Sequence, residues 1–124
     1  MTLKECIDFV NTVKPDHAFP EAILTEWIND VEGYVQTEIF CFDPTTNLTR
    51  YNWDDNKNTE LLVKPPHDEI YRYYLYAMID FHNGEYDKAQ NSFALYNEKL
   101  ATFNNWFIET YHPGDIPCGG CHEG

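Results

Sequence analysis

Apolar residues recur at three- and four-residue steps from the beginning of the chain: Leu3, Cys6, Ile7, Val10 and Val13. That spacing predicts a short amphipathic helix. Thr2 and Glu5 form a capping-box pair at its start, and Lys14-Pro15 closes it, because proline disfavours helical backbone in the residue before it. A second stripe, Leu24, Trp27, Ile28, Val31, Val35 and Ile39, predicts a helix from Pro20 to about Phe40. Its other face holds Glu26, Asp30, Glu32, Gln36 and Thr37. Gly33 interrupts it, as an exposed weak spot or as the point of a close helix crossing.

Residues 42–65 break the helical period. Asp43-Pro44 and Asp54-Asp55-Asn56 are turn sequences. Thr49, Tyr51 and Trp53 alternate with Arg50 and Asn52, which allows a short strand, and Leu61-Leu62-Val63 could pair with it. A loop of this length in a small domain is usually functional or mobile. Pro65-Pro66 then opens a third helix, with Asp68 and Glu69 in its first turn. Ile70, Tyr74, Ala77 and Phe81 run along one face of it, and Tyr71, Leu75, Met78 and Ile79 add apolar surface elsewhere. It stops at Asn83-Gly84, and Glu85 opens a fourth helix. There Tyr86, Ala89, Phe93, Tyr96, Leu100, Phe103 and Phe107 form an a/d heptad seam. The short join predicts an antiparallel helical hairpin, with Tyr74, Ala77, Phe81, Phe93, Tyr96 and Phe103 buried. His112-Pro113-Gly114 ends the fourth helix. The expected architecture is therefore all-α: one helical domain over residues 1–113, a long loop or small β-hairpin at 42–65, and a tail over 114–124.

Charge narrows the function. The chain has 21 Asp and Glu against 8 Lys and Arg, a formal net charge of −13 on 124 residues. No Lys or Arg lies between Lys14 and Arg50, and none follows Lys99. Such a surface repels phosphate backbones and anionic membranes. No run of apolar residues is long enough for a membrane span, and Glu5 and Asp8 exclude a signal peptide at the N-terminus. An aromatic content of 16% is too high for an acidic disordered tail. Glu26, Asp30 and Glu32 should form an exposed acidic side of the second helix without a countercharge.

Candidate chemistry is sparse. Cys6 and Cys41 lie in apolar patterns and read as buried free thiols. Cys118-Gly119-Gly120-Cys121-His122 matches the spacing of covalent haem attachment, but it sits at the chain end without a surrounding helix. Cys118, Cys121 and His122 could instead hold zinc, but the site would need a fourth ligand, for which His112 is the candidate. No cofactor is expected. Asp54, Asn56 and Asn58 open like a calcium loop, but Thr59 and Pro65 stand where glycine and glutamate are required. His67, Asp68 and Glu69 read as helix-start residues rather than as an acid–base set. No nucleophile–base pair or phosphate-binding glycine loop is present, so no catalytic residue is assigned.

Several segments together resemble a family. Thr2 to Pro15, the Trp27 to Gly33 helix, Glu60 to Tyr71, Tyr74 to Asp80, Asn83 to Tyr86, Asn91-Ser92 and the Phe103 to Pro113 stretch resemble a small structural protein of tailed-phage and prophage gene clusters from Gram-positive gut bacteria. That family is placed among head–tail connector, or adaptor, proteins. The resemblance implies a non-enzymatic subunit that joins copies of itself into a ring between portal and tail-completion proteins. It implies a location in the virion and, during assembly, in the host cytoplasm. DNA would pass through the ring without specific binding. Tyr71, Tyr73, Tyr76, Trp53 and Trp106 are the candidates for its interfaces. Two other classes fit parts of the sequence: a small metal- or haem-binding protein using the C-terminal cysteines, and an acidic regulator that mimics nucleic acid.

Overall fold

The structure is a computed structural model and describes residues 1–43 and 45–110. Helix α1 spans Leu3–Val13, α2 Glu21–Tyr34, α3 Trp53–Asn56, α4 Glu69–His82 and α5 Tyr86–Thr110. A π-helical turn, Val35–Ile39, prolongs α2. The fold is all-α, as the periodicity indicates. Pro44, the stop at His112-Pro113-Gly114 and the segment 114–124 lie outside the described residues.

Helix α1 begins as its sequence dictates. Thr2 Oγ1 accepts from Glu5 N, and Glu5 Oε1 accepts from Thr2 N at 2.8 Å, so both halves of the capping box form. The next orphan amides find a partner far along the chain: Leu3 N donates to the Thr59 carbonyl at 3.0 Å and Lys4 N to that of Lys57 at 2.8 Å. Leu3, Cys6, Ile7 and Val10 are fully buried, while Val13 is exposed.

Helix α2 is the centre of the molecule, packed against α1, α3 and α4. Its whole apolar stripe from Leu24 to Ile39 is buried. A Cβ placed on Gly33 would meet nothing within 4 Å, so the glycine is an open position and no helix crosses there. After the π turn, Cys41 takes a positive φ of 58°, which swings the chain off the helix axis.

Helices α4 and α5 form the expected antiparallel hairpin. Asn83 caps α4, and Gly84 supplies the positive φ of 81° that turns the chain. The burial within the hairpin differs from the expected set. Ala77, Tyr96 and Phe103 are buried, Tyr74 and Phe93 are half-buried, and Phe81 is 48% exposed. Phe81 is the last residue but one of α4, where α5 has only begun and cannot cover it. It packs on His82 and Tyr86 instead.

The region 42–65 contains no strand among its described residues. The one bridge near it is isolated and joins Thr2 to Glu60. The expected pairing of Thr49–Trp53 with Leu61–Val63 fails because side chains of α2 take the place of the partner strand. Gln36 Oε1 accepts from Thr49 N at 2.8 Å and its Nε2 donates to Thr49 O at 3.1 Å. Asn29 does the same for Tyr51, at 2.8 and 3.0 Å. Trp53 then enters the single turn α3, capped by Asn52. The loop is thus tied to α2 and to the start of α1.

Candidate interaction surface

The chemically densest place in the molecule is closed. Glu32, expected on the exposed acidic side of α2, is fully buried, as is Gln36. Tyr51 Oη donates to Glu32 Oε2 at 2.6 Å, Leu62 N to the same oxygen at 3.0 Å, and Tyr71 Oη to Oε1 at 2.5 Å. Tyr71 Oη in turn accepts from Val63 N at 2.9 Å. Burial pushes the Tyr71 hydroxyl well above its ordinary range, and the neighbouring Glu32 carboxylate adds to the shift. Tyr51 is raised for the same reasons. Both phenols therefore stay protonated as donors. A buried carboxylate needs hydrogen-bond donors, and this centre supplies three, from three separate stretches of chain. No face of Glu32 reaches solvent, so the group serves to join α2, α4 and the 49–63 loop. The sequence expectation missed it because a glutamate among polar neighbours reads as outward-facing.

The other nominated residues separate. Tyr71 is buried and cannot meet a partner. Tyr73 and Tyr76 are half-buried and pack edge to face at 6.0 Å, and Trp53 is half-buried beneath Lys57. Trp106 is 42% exposed. His67, Asp68 and Glu69 point to different partners: His67 lies between Phe103 and Trp106, Asp68 takes the Met1 amino group, and Glu69 pairs with Arg72 and Lys99. No acid–base set is assembled from them. Cys118, Cys121 and His122 lie outside the described residues. Among the described residues no group of three metal-binding side chains converges, and no helix is long and apolar enough to cross a membrane.

The two cysteines inside the domain differ. Cys6 is a free buried thiol, pushed up to about 12 chiefly by burial. Cys41, expected as a second free thiol, is disulfide-bonded.

Two surface properties remain. The first is that the basic residues are already committed. Lys4 pairs with Asp8, Lys14 with Asp80, Arg50 with Glu26, Lys64 with Glu60, Arg72 with Glu69, Lys88 with Glu85 and Lys99 with Glu69. The eighth, Lys57, lies over the Trp53 ring. The expectation that the acidic side of α2 has no countercharge is therefore corrected, because Arg50 folds back to within 3.1 Å of Glu26. Asp30 stays exposed, and its carboxyl is raised by partial burial and by the neighbouring Glu26.

The second is the half-covered seam of α5. One heptad column, Ala89, Tyr96 and Phe103, is buried. The other, Tyr86, Phe93, Leu100 and Phe107, runs from 63% exposed at Tyr86 to half-buried further on. Near its C-terminal end, Phe40, Leu62, Pro65, His67, Phe103 and Trp106 line a small cavity of about 130 Å³. A polar cleft of about 440 Å³ lies at the other end of the hairpin, around the Lys14–Asp80 ion pair.

These features define an acidic all-α protein whose polar centre is sealed and whose α5 helix carries an open aromatic edge. The chain matches no protein-family model, no curated protein and no solved structure.

Proposed function

We propose that this chain is a non-enzymatic structural subunit of the head–tail connector type, assembling with copies of itself into a ring that bridges portal and tail-completion proteins. The observation that carries this reading is the half-covered seam. A heptad repeat with one column buried and the other partly open is what a helix needs to pack on its own hairpin and on a neighbour together. From Tyr86 to Phe107 that column covers about 30 Å of helix. Its aromatic character suits an interface core.

The commitment of every Lys and Arg supports the second half of the proposal. Seven of the eight cations stand beside a carboxylate, so a phosphate approaching any of those also meets a negative charge. Glu21, Glu26, Asp30 and Glu38 remain exposed on α2 and its π turn. Turned toward a ring axis, they would repel a duplex over about 8 Å at physiological salt, so that DNA passes without being held.

The test is assembly. Light scattering and negative-stain microscopy of the purified protein should show closed rings, and Tyr86→Glu with Leu100→Glu should reduce them to monomers. A protein that stays monomeric at its highest soluble concentration, or rings indifferent to those changes, would contradict the proposal. Unmodified protein should not retard duplex DNA even at low salt. Glu26→Lys with Asp30→Lys should create binding that weakens steeply as salt is added. Glu32 has no place in that experiment, because it holds the core together.

A further inference from the structure

His17, half-buried between α1 and α2, is held by two hydrogen bonds that fix where its proton sits. Its Nδ1 accepts from the Phe19 amide at 3.1 Å, and its Nε2 lies 2.6 Å from Asn11 Oδ1. A backbone N–H can only donate, so Nδ1 carries no proton, and Nε2 carries one and donates it to Asn11. The ring thus ties the last turn of α1 to the loop that leads into α2. That loop also delivers Phe19, on which the His17 ring stacks at 6.0 Å. Phe19 in turn meets Trp27 edge to face at 5.2 Å and His82 at 6.0 Å, and Trp27 lies flat on His82 at 5.3 Å. Trp27 is only 9% exposed, and Phe19 is one of the rings that cover it.

We propose that His17 is an acid-released latch: a second proton on its ring breaks the hydrogen bond to the Phe19 amide and frees the Phe19 ring from Trp27. The proton adds to Nδ1, the ring nitrogen that carries the lone pair. Two donors then face each other across 3.1 Å, and the Phe19 amide loses its acceptor. The bond from Nε2 to Asn11 survives, so the loop lets go at its α2 end and stays tied to α1. The charges around the ring come from every side. Lys14 and Asp16 precede it, Asp80 on α4 and Glu85 and Lys88 at the start of α5 line the same polar cleft, Glu21 opens α2, and His82 stands across Phe19. Lys14 is paired with Asp80 and Lys88 with Glu85. Burial pushes the imidazole below its ordinary 6.5, against a smaller opposite pull from Glu21. The unfolded chain therefore takes up this proton first as pH falls, so the latch is fully closed above 6.5 and weakens below it. Release lengthens a surface that is already open. From Trp27 the rings of His82, Phe81 and Tyr86 follow one another to the start of the α5 column, with Phe81 48% and Tyr86 63% exposed. Uncovering Trp27 adds a large ring to that edge. The latch belongs to the single chain and holds whether or not copies of it form rings.

The experiment is NMR on the isotope-labelled full chain, titrated from about pH 8 to about pH 5. At the upper end, long-range nitrogen–proton correlations should show His17 protonated on Nε2 alone. On acidification Nδ1 should gain its proton with a midpoint below 6.5. The Phe19 amide should shift, and the NOEs between the Phe19 and Trp27 rings should fall several-fold, with that same midpoint. A proton on Nδ1 at the upper end, or Phe19–Trp27 NOEs that outlast protonation of His17, would overturn the proposal. His17→Asn supplies the complementary arm. Its side-chain oxygen can accept from the amide two residues on, as in an Asx turn, and it does not titrate. In that variant the Phe19–Trp27 NOEs should persist to the lowest pH. Their loss at the wild-type midpoint would assign the transition to another group, His82 first, and refute the latch.

Discussion

The polar flank of α2 and the open column of α5 each defy a simple two-faced helix, in opposite directions. On α2 the residues Asn29, Glu32 and Gln36, spaced by three and four, are polar and buried. On α5 the residues Tyr86, Phe93 and Leu100, spaced by seven, are apolar and at least partly open. The first group is drawn inside because each side chain stands in for backbone that has no partner strand. The second stays near solvent because α4 packs against the Ala89, Tyr96 and Phe103 column and leaves the other side of α5 only partly covered. Burial in this protein follows what each side chain can satisfy, and polarity alone misplaces both stripes.

Replacing the polar pin should have the largest effect. Glu32→Ala would leave two phenols and the Leu62 amide buried without an acceptor, at a cost of about 3–5 kcal/mol. Urea unfolding should show that loss, or no cooperative transition at all. Tyr86→Ala, on the open column, should shift the stability of the single chain by less than about 0.5 kcal/mol. Equal losses at the two positions would dissolve the contrast.

The two columns of α5 offer a sharper version. Phe103→Ala, from the buried column, should cost about 3 kcal/mol, and Phe93→Ala, from the open one, about 1–2 kcal/mol, because less apolar area is lost. Assembly should respond in the reverse order, with Phe93→Ala weakening self-association more than its stability cost explains.

Alkaline pH probes the sealed centre together with Cys6 and the other phenols that burial raises, Tyr74, Tyr76 and Tyr96. Burial and Glu32 raise Tyr51 and Tyr71 above the ordinary value of 10.0, and burial raises Cys6 from 9.0 to about 12. Above those ordinary values the unfolded chain loses protons that the folded chain keeps, so stability falls as pH rises. The fall should begin near pH 9 with Cys6 and steepen past pH 10, by at most about 1.4 kcal/mol per pH unit for each proton. Tyr51→Phe should flatten that slope in chemical unfolding followed from pH 8 to 11. An unchanged slope would mean that the phenol is not held as described.

The smallest effect has the opposite sign. Gly33 has open space around its Cα, so Gly33→Ala should stabilise α2 by up to about 1 kcal/mol. Destabilisation in a thermal melt would show that a neighbour presses on that point.

Most of the helical frame was legible from short-range pattern. The Thr2 capping box, the Leu24–Ile39 stripe and the Asn83-Gly84 turn depend on residues a few positions apart. The sealed centre was not legible, because the bonds to Glu32 join residues 19 to 39 positions apart, as in Tyr51 to Glu32 and Tyr71 to Glu32. No period in α2 marks a glutamate whose partners arrive from α4 and the central loop. The Thr49–Tyr51 alternation did not become a strand. It suggested a strand partner, and the Asn29 and Gln36 amides supply that pairing instead. The half-covered seam was visible as a heptad, but which column α4 would cover depended on the rotation of one helix against the other.

The carbonyls of Lys57 and Thr59 that hold the first turn of α1 set an order of events for a chain made from its N-terminus. At about 5–20 residues per second, α1 leaves the ribosome several seconds before those carbonyls exist. Until then its leading amides face water, and an isolated eleven-residue helix is marginal. The N-terminal helix is thus among the last to be secured, and a nascent chain stopped before residue 57 has a fluctuating first segment, however strong its capping box.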